Sequence, residues 1–249
     1  MSSAAVSIKK LGFRYPGQNN QVFSSLDMEV LPGERFGLFG PNGAGKTTLL
    51  NCMTGLVEFQ EGSIHLLGQL VNCKKKEVNR LFGFVPQDFS FYQELTAFEN
   101  LEFFGAWSGL ERQQIRKRSA ELLDVLGLSA VGHKQVQQFS GGMKRRVNLA
   151  IAVMHAPSIL FLDEPTVGVD VQTRHAIINY LKELNRNGTT LIYTSHQLQE
   201  AEDLCEKVAL IDEGKIIAND SLSRLLKEYR EEGLEGLYLK VTGKAYRDS

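Results

Sequence analysis

The chain has 249 residues, 43% of them hydrophobic and 23% charged, the balance of a soluble globular protein with material for one large domain or a domain carrying a subdomain. Its 28 basic and 29 acidic residues leave a formal net charge of −1, so no global field draws it to nucleic acid or to anionic lipid. The opening "MSSAAVSIKKLGFRY" has no apolar h-region and no run approaches the ~18 apolar residues of a membrane span, so a membrane role has to come through a partner.

In chain order, "VSIKKLGFRY" and "SLDMEVLPGE" read as strands, the second closed by a turn at Pro32 and Gly33. "RFGLFG" is a buried strand ending at Gly40, and "KTTLLNCMTG" a helix stopped by Gly55. "SIHLLG" and "LFGFVPQ" are further short strands. From about Asp88 to Ala156 the pattern turns helical: Thr96 and Glu99 have capping-box spacing, "RQQIRKRSAELLDVLG" ends at Gly127, and "MKRRVNLAIAVMHA" follows "FSGG". Trp107 and the phenylalanines around it are expected to pack this block. Alternation then resumes with "SILFLDEP" as strand, "QTRHAIINYLKELNRNG" as helix, "TTLIYTS" as strand and "HQLQEAEDLCE" as helix. "KVALIDEGKIIAND" makes two strands about a turn at Glu213 and Gly214, and "LSRLLKEYREE" is a last helix before a short tail. Strands alternating with helices imply an α/β protein with a mostly parallel sheet. The basic run Lys74 to Lys76 reads as a solvated face. Cys52, Cys73 and Cys205 lack a C-x-x-C pair and read as reduced thiols of a cytosolic protein.

The stretch "GPNGAGKTT", Gly40, Pro41, Asn42, Gly43, Ala44, Gly45, Lys46, Thr47 and Thr48, matches G-x-x-x-x-G-K-[ST] between a strand and a helix. Its glycines admit phosphate oxygens to the backbone N–H groups, and the helix N-terminus adds partial positive charge. Lys46 would reach the β and γ phosphates of a nucleotide triphosphate and Thr47 would ligate Mg²⁺. "ILFLDE" runs into Asp163 at the end of a strand, where open α/β sheets place ligands. Asp163 fits the metal role, and Glu164, on the other side by strand alternation, is expected to be the general base. Ser140, Gly141 and Gly142 open a helix and offer a second anion cradle, which one γ-phosphate needs only if a second chain supplies it.

The order "GPNGAGKTT", "VPQ", "FSGGM", "LFLDEPTVGVD" and "TSH" resembles, almost end to end, the Walker A, Q-loop, signature, Walker B with D-loop, and H-loop of ATP-binding cassette (ABC) transporter subunits. The resemblance implies a P-loop NTPase with a RecA-like core, an antiparallel β subdomain and an inserted helical subdomain. Its boundaries would be 1–87 and 157–249 for the α/β core and 88–156 for the helical insert. Gln87 would contact Mg²⁺ and the water while coupling insert to core. Ser140 and Gly142 would bind the γ-phosphate held by the opposite protomer, Asp170 would shape the dimer interface, His196 would touch the γ-phosphate, and Tyr15 would stack on adenine, unless Phe13 does. His65, His133, His155 and His175 lie outside these motifs and read as structural. The signature departs from L-S-G-G-Q at Phe139 and Met143, leaving its phosphate-binding core intact.

The implied protein is an ATPase with ATP and Mg²⁺, a homodimer that powers a separate polytopic permease from the cytoplasmic face of the cell membrane. "FSGGMKRRVNLA", "DEPTVGVD" and the ending "EGLYLKVTGKAYRDS" resemble bacterial exporters with separate permease chains. The segment "FSFYQELTAFENLEFF" would face the permease, and charge reversal at Glu94 or Glu99 should weaken membrane association. No nucleic acid partner is expected, the rival being a soluble ABC ATPase acting in translation, DNA maintenance or regulation.

Overall fold

A computed structural model describes residues 4–72, 76–195 and 197–243. Lys74, Lys75, Cys73 and His196 therefore lie outside the described residues. Two sheets organise the chain. β1 (Val6–Phe13), β2 (Phe23–Val30), β4 (Glu61–Leu66) and β5 (Gln69–Leu70) form an antiparallel sheet in the order β2-β1-β4-β5. β3 (Arg35–Phe39), β6 (Phe82–Val85), β7 (Ile159–Asp163), β8 (Thr190–Thr194), β9 (Lys207–Asp212) and β10 (Lys215–Ser221) form the second, ordered β10-β9-β3-β8-β7-β6. Five of its strands run parallel and β10 returns antiparallel to β9.

The parallel strands read as unbroken apolar runs because both faces are covered. In β7, Ile159 and Phe161 join one core with Phe36, Leu38 and the helix α1 (Lys46–Met53), together with the antiparallel sheet. Leu160 and Leu162 face the other way, into a core shared with α2 (Ala97–Trp107), α3 (Arg112–Val125), α4 (Gly141–Ala152) and α5 (Val171–Arg186). Neighbouring strand residues point to opposite faces, so one strand feeds two cores.

Local signals agree with the helix ends. Thr96 and Glu99 close the expected capping box on α2, with Glu99 N donating to Thr96 Oγ1 at 3.1 Å and Thr96 N to Glu99 Oε2 at 2.8 Å. Gly55 and Gly127 adopt left-handed φ just beyond α1 and α3.

Two expectations are corrected. The final stretch is not all tail. After α6 (Leu198–Leu204) and α7 (Leu222–Tyr229) a further helix, α8 (Leu234–Thr242), buries Leu234, Leu237 and Tyr238, an i, i+3, i+4 stripe hidden among glycines in the sequence. Trp107 does not pack the helical block. It is 73% exposed at the end of α2, stacked on Phe103, which is itself exposed, because it stands on the outer face of that helix.

The four histidines outside the motifs keep out of the site described below. His65 lies in β4 opposite Ser7, His133 stacks on Phe98 and His175 is exposed on α5. His155 is half-buried, with Nε2 donating to the Phe82 carbonyl at 3.0 Å, and burial pushes its pKa down from 6.5. A depressed imidazole contributes stability above pH 6.5 that is lost as pH falls towards the folded value, because the unfolded chain takes up the proton first. His155→Gln should flatten this slope, so thermal melts between about pH 8 and about pH 5 should show the parent losing ground to the variant through that window.

Candidate active site

The parallel register brings the chemistry to one edge. Asp163 pairs with Thr194, Leu38 also pairs with Thr194, and Val85 pairs with Leu162. The strand ends are therefore level, and Gly40, Gln87 and Glu164 all leave the sheet at its carboxyl edge, where ligands bind in such folds.

Gly40 must be glycine because a Cβ there would lie 2.0 Å from the Ile211 carbonyl oxygen. The loop from Pro41 to Ala44 delivers the chain to Gly45, whose φ of 105° is open to glycine alone and which caps α1 without a side chain. The first N–H groups of α1 are thus left for a ligand. Lys46 is buried and curls back, its Nζ donating to the carbonyls of Gly40 at 2.8 Å and Pro41 at 3.1 Å. Thr48 on the same helix shares a 2.9 Å hydrogen bond with the Tyr15 hydroxyl. Tyr15 is half-buried and stands edge-on to Phe13 at 4.9 Å. Phe13 is 2% exposed, so of the two aromatics only Tyr15 has surface to offer a base.

Asp163 is buried beside this loop. It accepts from Thr194 Oγ1 at 2.7 Å and from the Thr47 hydroxyl, while burial pushes its pKa up. Those hydrogen bonds and the charge of Lys46 oppose that rise, whereas Glu164 adds to it. The Asp163 carboxylate and the Thr47 hydroxyl that bonds it are hard oxygen donors. Among the described residues no group of three or more His, Cys, Asp or Glu side chains could hold a metal by themselves. The Asp163 carboxylate and the Thr47 hydroxyl are the oxygen type that Mg²⁺ takes, one or two from protein and the rest from phosphate and water.

Glu164 is where the strand stops. Its φ of 49° turns the chain, so the turn, rather than continued strand alternation, gives Asp163 and Glu164 different partners. A non-glycine residue in this region costs about 1 kcal/mol or more, a strain often stored at functional sites. The amide of Glu164 is held by the Thr194 carbonyl at 3.2 Å, and its Oε2 accepts from Gln87 Nε2 at 3.2 Å. Gln87 thus keeps its Oε1 for another partner.

Ser140 caps α4, with Oγ accepting from Met143 N at 3.3 Å, which leaves its O–H free to donate. Gly141 is exposed, and a Cβ at Gly142 would come within 3.2 Å of Thr173 on α5. Asp170 caps α5, accepting from Thr173 N at 2.9 Å and Thr173 Oγ1 at 2.7 Å, and these bonds hold its carboxyl below the usual range. The signature and the D-loop are therefore built against each other within one chain.

Sequence reasoning missed four groups. Arg145 and Asn148 of α4 bond the backbone at Pro86 and Gln87, and Thr194 orients Asp163. Glu200 of α6 is buried, accepts from Thr166 Oγ1 and from Tyr193 Oη at 2.9 Å, and pairs with Arg174 at 2.8 Å, pinning the segment after Glu164 to β8 and α5. For Arg145 and Glu200 the advance signal was a charged residue inside a helical periodic run, and Asn148 and Thr194 gave none.

The ABC transporter family model matches residues 23–167. The chain is 42% identical over 208 residues to the linearmycin resistance ATP-binding protein LnrL of Bacillus subtilis, covering 82% of this chain and 67% of that protein. It is 40% identical over 205 residues to the Nod factor export ATP-binding protein I of Cupriavidus metallidurans, covering 82% and 68%. Its fold superposes on the ATP-binding subunit of an ABC transporter with a TM-score of 0.88 at 28% identity, over 96% of this chain and 99% of that one. A dimeric ATP-binding cassette in a post-hydrolysis state, bound to ADP and Pi, gives 0.80 at 27% identity over 87% and 98%. The chain belongs to the ABC transporter family. It is an ATP-binding subunit with the ATPase cassette fold, and its hydrolysis of ATP is coupled to transport.

Proposed function

We propose that two copies of this chain close head to tail around two ATP molecules and drive a separate polytopic permease, in the direction of export, from the cytoplasmic face of the cell membrane. The observation that carries this reading is the pairing of Gln87 with Glu164 beside Asp163 and Thr47 on one sheet edge, with the phosphate loop next to it. Residues 40–48 hold the triphosphate, Tyr15 covers the base, and Thr47, Asp163 and Gln87 supply the oxygens for Mg²⁺. An Mg²⁺ ion held by these oxygens would supply positive charge against the negative charge of the phosphates.

Glu164 takes a proton from the water that Gln87 orients. The water oxygen bonds to the γ-phosphorus as the bond to the β–γ bridging oxygen breaks, leaving ADP and phosphate. Lys46 and the Ser140 hydroxyl of the opposite copy balance the developing charge, and His196 adds a contact to the γ-phosphate. Ser140, Gly141 and Gly142 reach across because a chain with two helix-end cradles has one more than its own γ-phosphate can use. Asp170 shapes the interface through the end of α5 that it caps. Loss of the shared γ-phosphate then opens the dimer. Residues 88–156 act as the signature-bearing subdomain between the core segments 1–87 and 157–249. Relatives named for Nod factor export and linearmycin resistance support the direction.

Among the described residues no helix is long and apolar enough to cross a membrane. The surface offered to a permease is an aromatic ridge in the helical block: Tyr92, 5.0 Å from Phe103, and Phe103, 6.4 Å from Trp107. A groove of about 660 Å³ runs beside it, lined by Trp107, Arg80, Glu77 and His155. The test is to tag the protein in its native cell, solubilise membranes gently and identify what co-purifies. A stoichiometric polytopic membrane protein is expected. Recovery only with ribosomes, DNA or a soluble regulator would overturn the transport partner. Glu94→Lys and Trp107→Glu should each reduce that recovery several-fold with ATP binding unchanged, and equal recovery would remove the ridge from the interface. Glu94 is a cleaner probe than Glu99, whose reversal would also break the α2 cap.

A further inference from the structure

The signature helix does a second job at its middle. Five residues after Ser140, or about 7.5 Å along α4, Arg145 is 7% exposed and turns its guanidinium onto the loop that carries Gln87. Its Nη1 donates to the Gln87 carbonyl at 2.5 Å and to the Pro86 carbonyl at 3.3 Å. The guanidinium carbon sits 4.8 Å from the Phe89 ring centre. One turn on, Asn148 Nδ2 donates to the same Pro86 carbonyl at 3.3 Å. Two side chains of α4 thus clamp the two peptide carbonyls that bracket the Gln87 backbone, while the Gln87 side chain reaches Glu164.

Stability alone does not account for this arginine. Its Nε is buried without a hydrogen-bond partner, and its Nη1 bonds are spent on a loop backbone rather than on a carboxylate. A buried ion that leaves a donor unmet is poor for stability compared with an apolar side chain of similar volume. What the arrangement secures is geometry: the N-terminus of α4 and the Gln87 backbone cannot move independently.

We infer that Arg145 is a positioning residue that holds Gln87 in register with Glu164 and ties that register to the helix whose first turn carries Ser140. Through this tie, a shift of α4 on engaging a phosphate at Ser140 and Gly142 alters the geometry of Gln87 in the same chain's own site. The inference rests on the reading of Gln87 and Glu164 as site residues, and its test separates the two.

The test is a double-mutant cycle on the full chain, with kcat for ATP and the affinity for a fluorescent ATP analogue measured for each form. Arg145→Met should lower kcat by about 10- to 100-fold, the scale of a slightly misplaced catalytic geometry, with analogue affinity within about twofold. Gln87→Ala should lower kcat on its own. The combination should be no slower than the slower single variant, because the arginine acts only through that glutamine. Arg145→Lys, which keeps the cation but not the fork, should be intermediate and show the same non-additivity, so the cycle survives if the methionine variant folds poorly. Multiplying losses in the double variants, or parental turnover in Arg145→Met, would overturn the inference while leaving the site intact. Parental turnover in both Gln87→Ala and Glu164→Gln would overturn the site reading and this inference with it.

Discussion

Glu164→Gln is expected to reduce steady-state ATP turnover by about 100- to 10,000-fold, the contribution of a positioned general base, while ATP still binds. Glutamine has nearly the same volume, and the backbone turn at residue 164 is held by main-chain and Thr194 contacts that the substitution leaves alone. The proton acceptor is lost. Removing one of two neighbouring carboxylates relieves repulsion on Asp163 but also takes an attracting charge from Arg145, so the variant should melt close to the parent. Without hydrolysis the shared γ-phosphate persists, so ATP-dependent dimers should accumulate. Phosphate release and size-exclusion chromatography with light scattering report the two effects separately. Turnover at the parental rate would move the base elsewhere, and collapse of turnover without dimers would remove the shared phosphate from the mechanism.

Gly142→Asp should abolish turnover by another route, by preventing the dimer. The new Cβ would lie 3.2 Å from Thr173 and press on the capped start of α5. Its carboxylate would occupy the helix N-terminus that is otherwise left for an anion. Each copy keeps its own phosphate loop, so ATP affinity should change by no more than a few-fold while turnover falls at least 100-fold, comparable to loss of a transition-state donor set. In the Glu164→Gln background the same change should prevent the accumulation of dimers. Dimers that survive there would mean that the second cradle is not on the opposite copy's phosphate.

The glycine-rich loop was legible in the sequence because its shape is carried by backbone. Glycine is required at Gly40 by the Ile211 carbonyl and at Gly45 by a left-handed φ, and such demands leave no alternative residue. Asp163 was legible as the end of an apolar run, and Thr96 and Glu99 as a cap, since both depend on neighbours within a few positions. The separation of Asp163 from Glu164 was expected from strand alternation but comes from a turn with positive φ, which a one-dimensional pattern does not show. Trp107 was expected inside because it is large and apolar. Its position on the outer face of α2 is set by which stripe of that helix meets α3 and α4.

The chain's own order therefore determined the class of fold, the glycine-rich loop before α1, the carboxylate that ends β7 and most of the helix ends. Each follows from local conformational limits or from the period of apolar residues. Tertiary structure decided which distant groups act together. The level register of β3, β6, β7 and β8 brings residues 40, 87 and 164 to one edge, and α4 lays Arg145 and Asn148 across a loop some 60 positions earlier in the chain. A carbonyl has no residue type and a register no local signature, so the clamp on Gln87 exists only once the two cores have closed around the sheet.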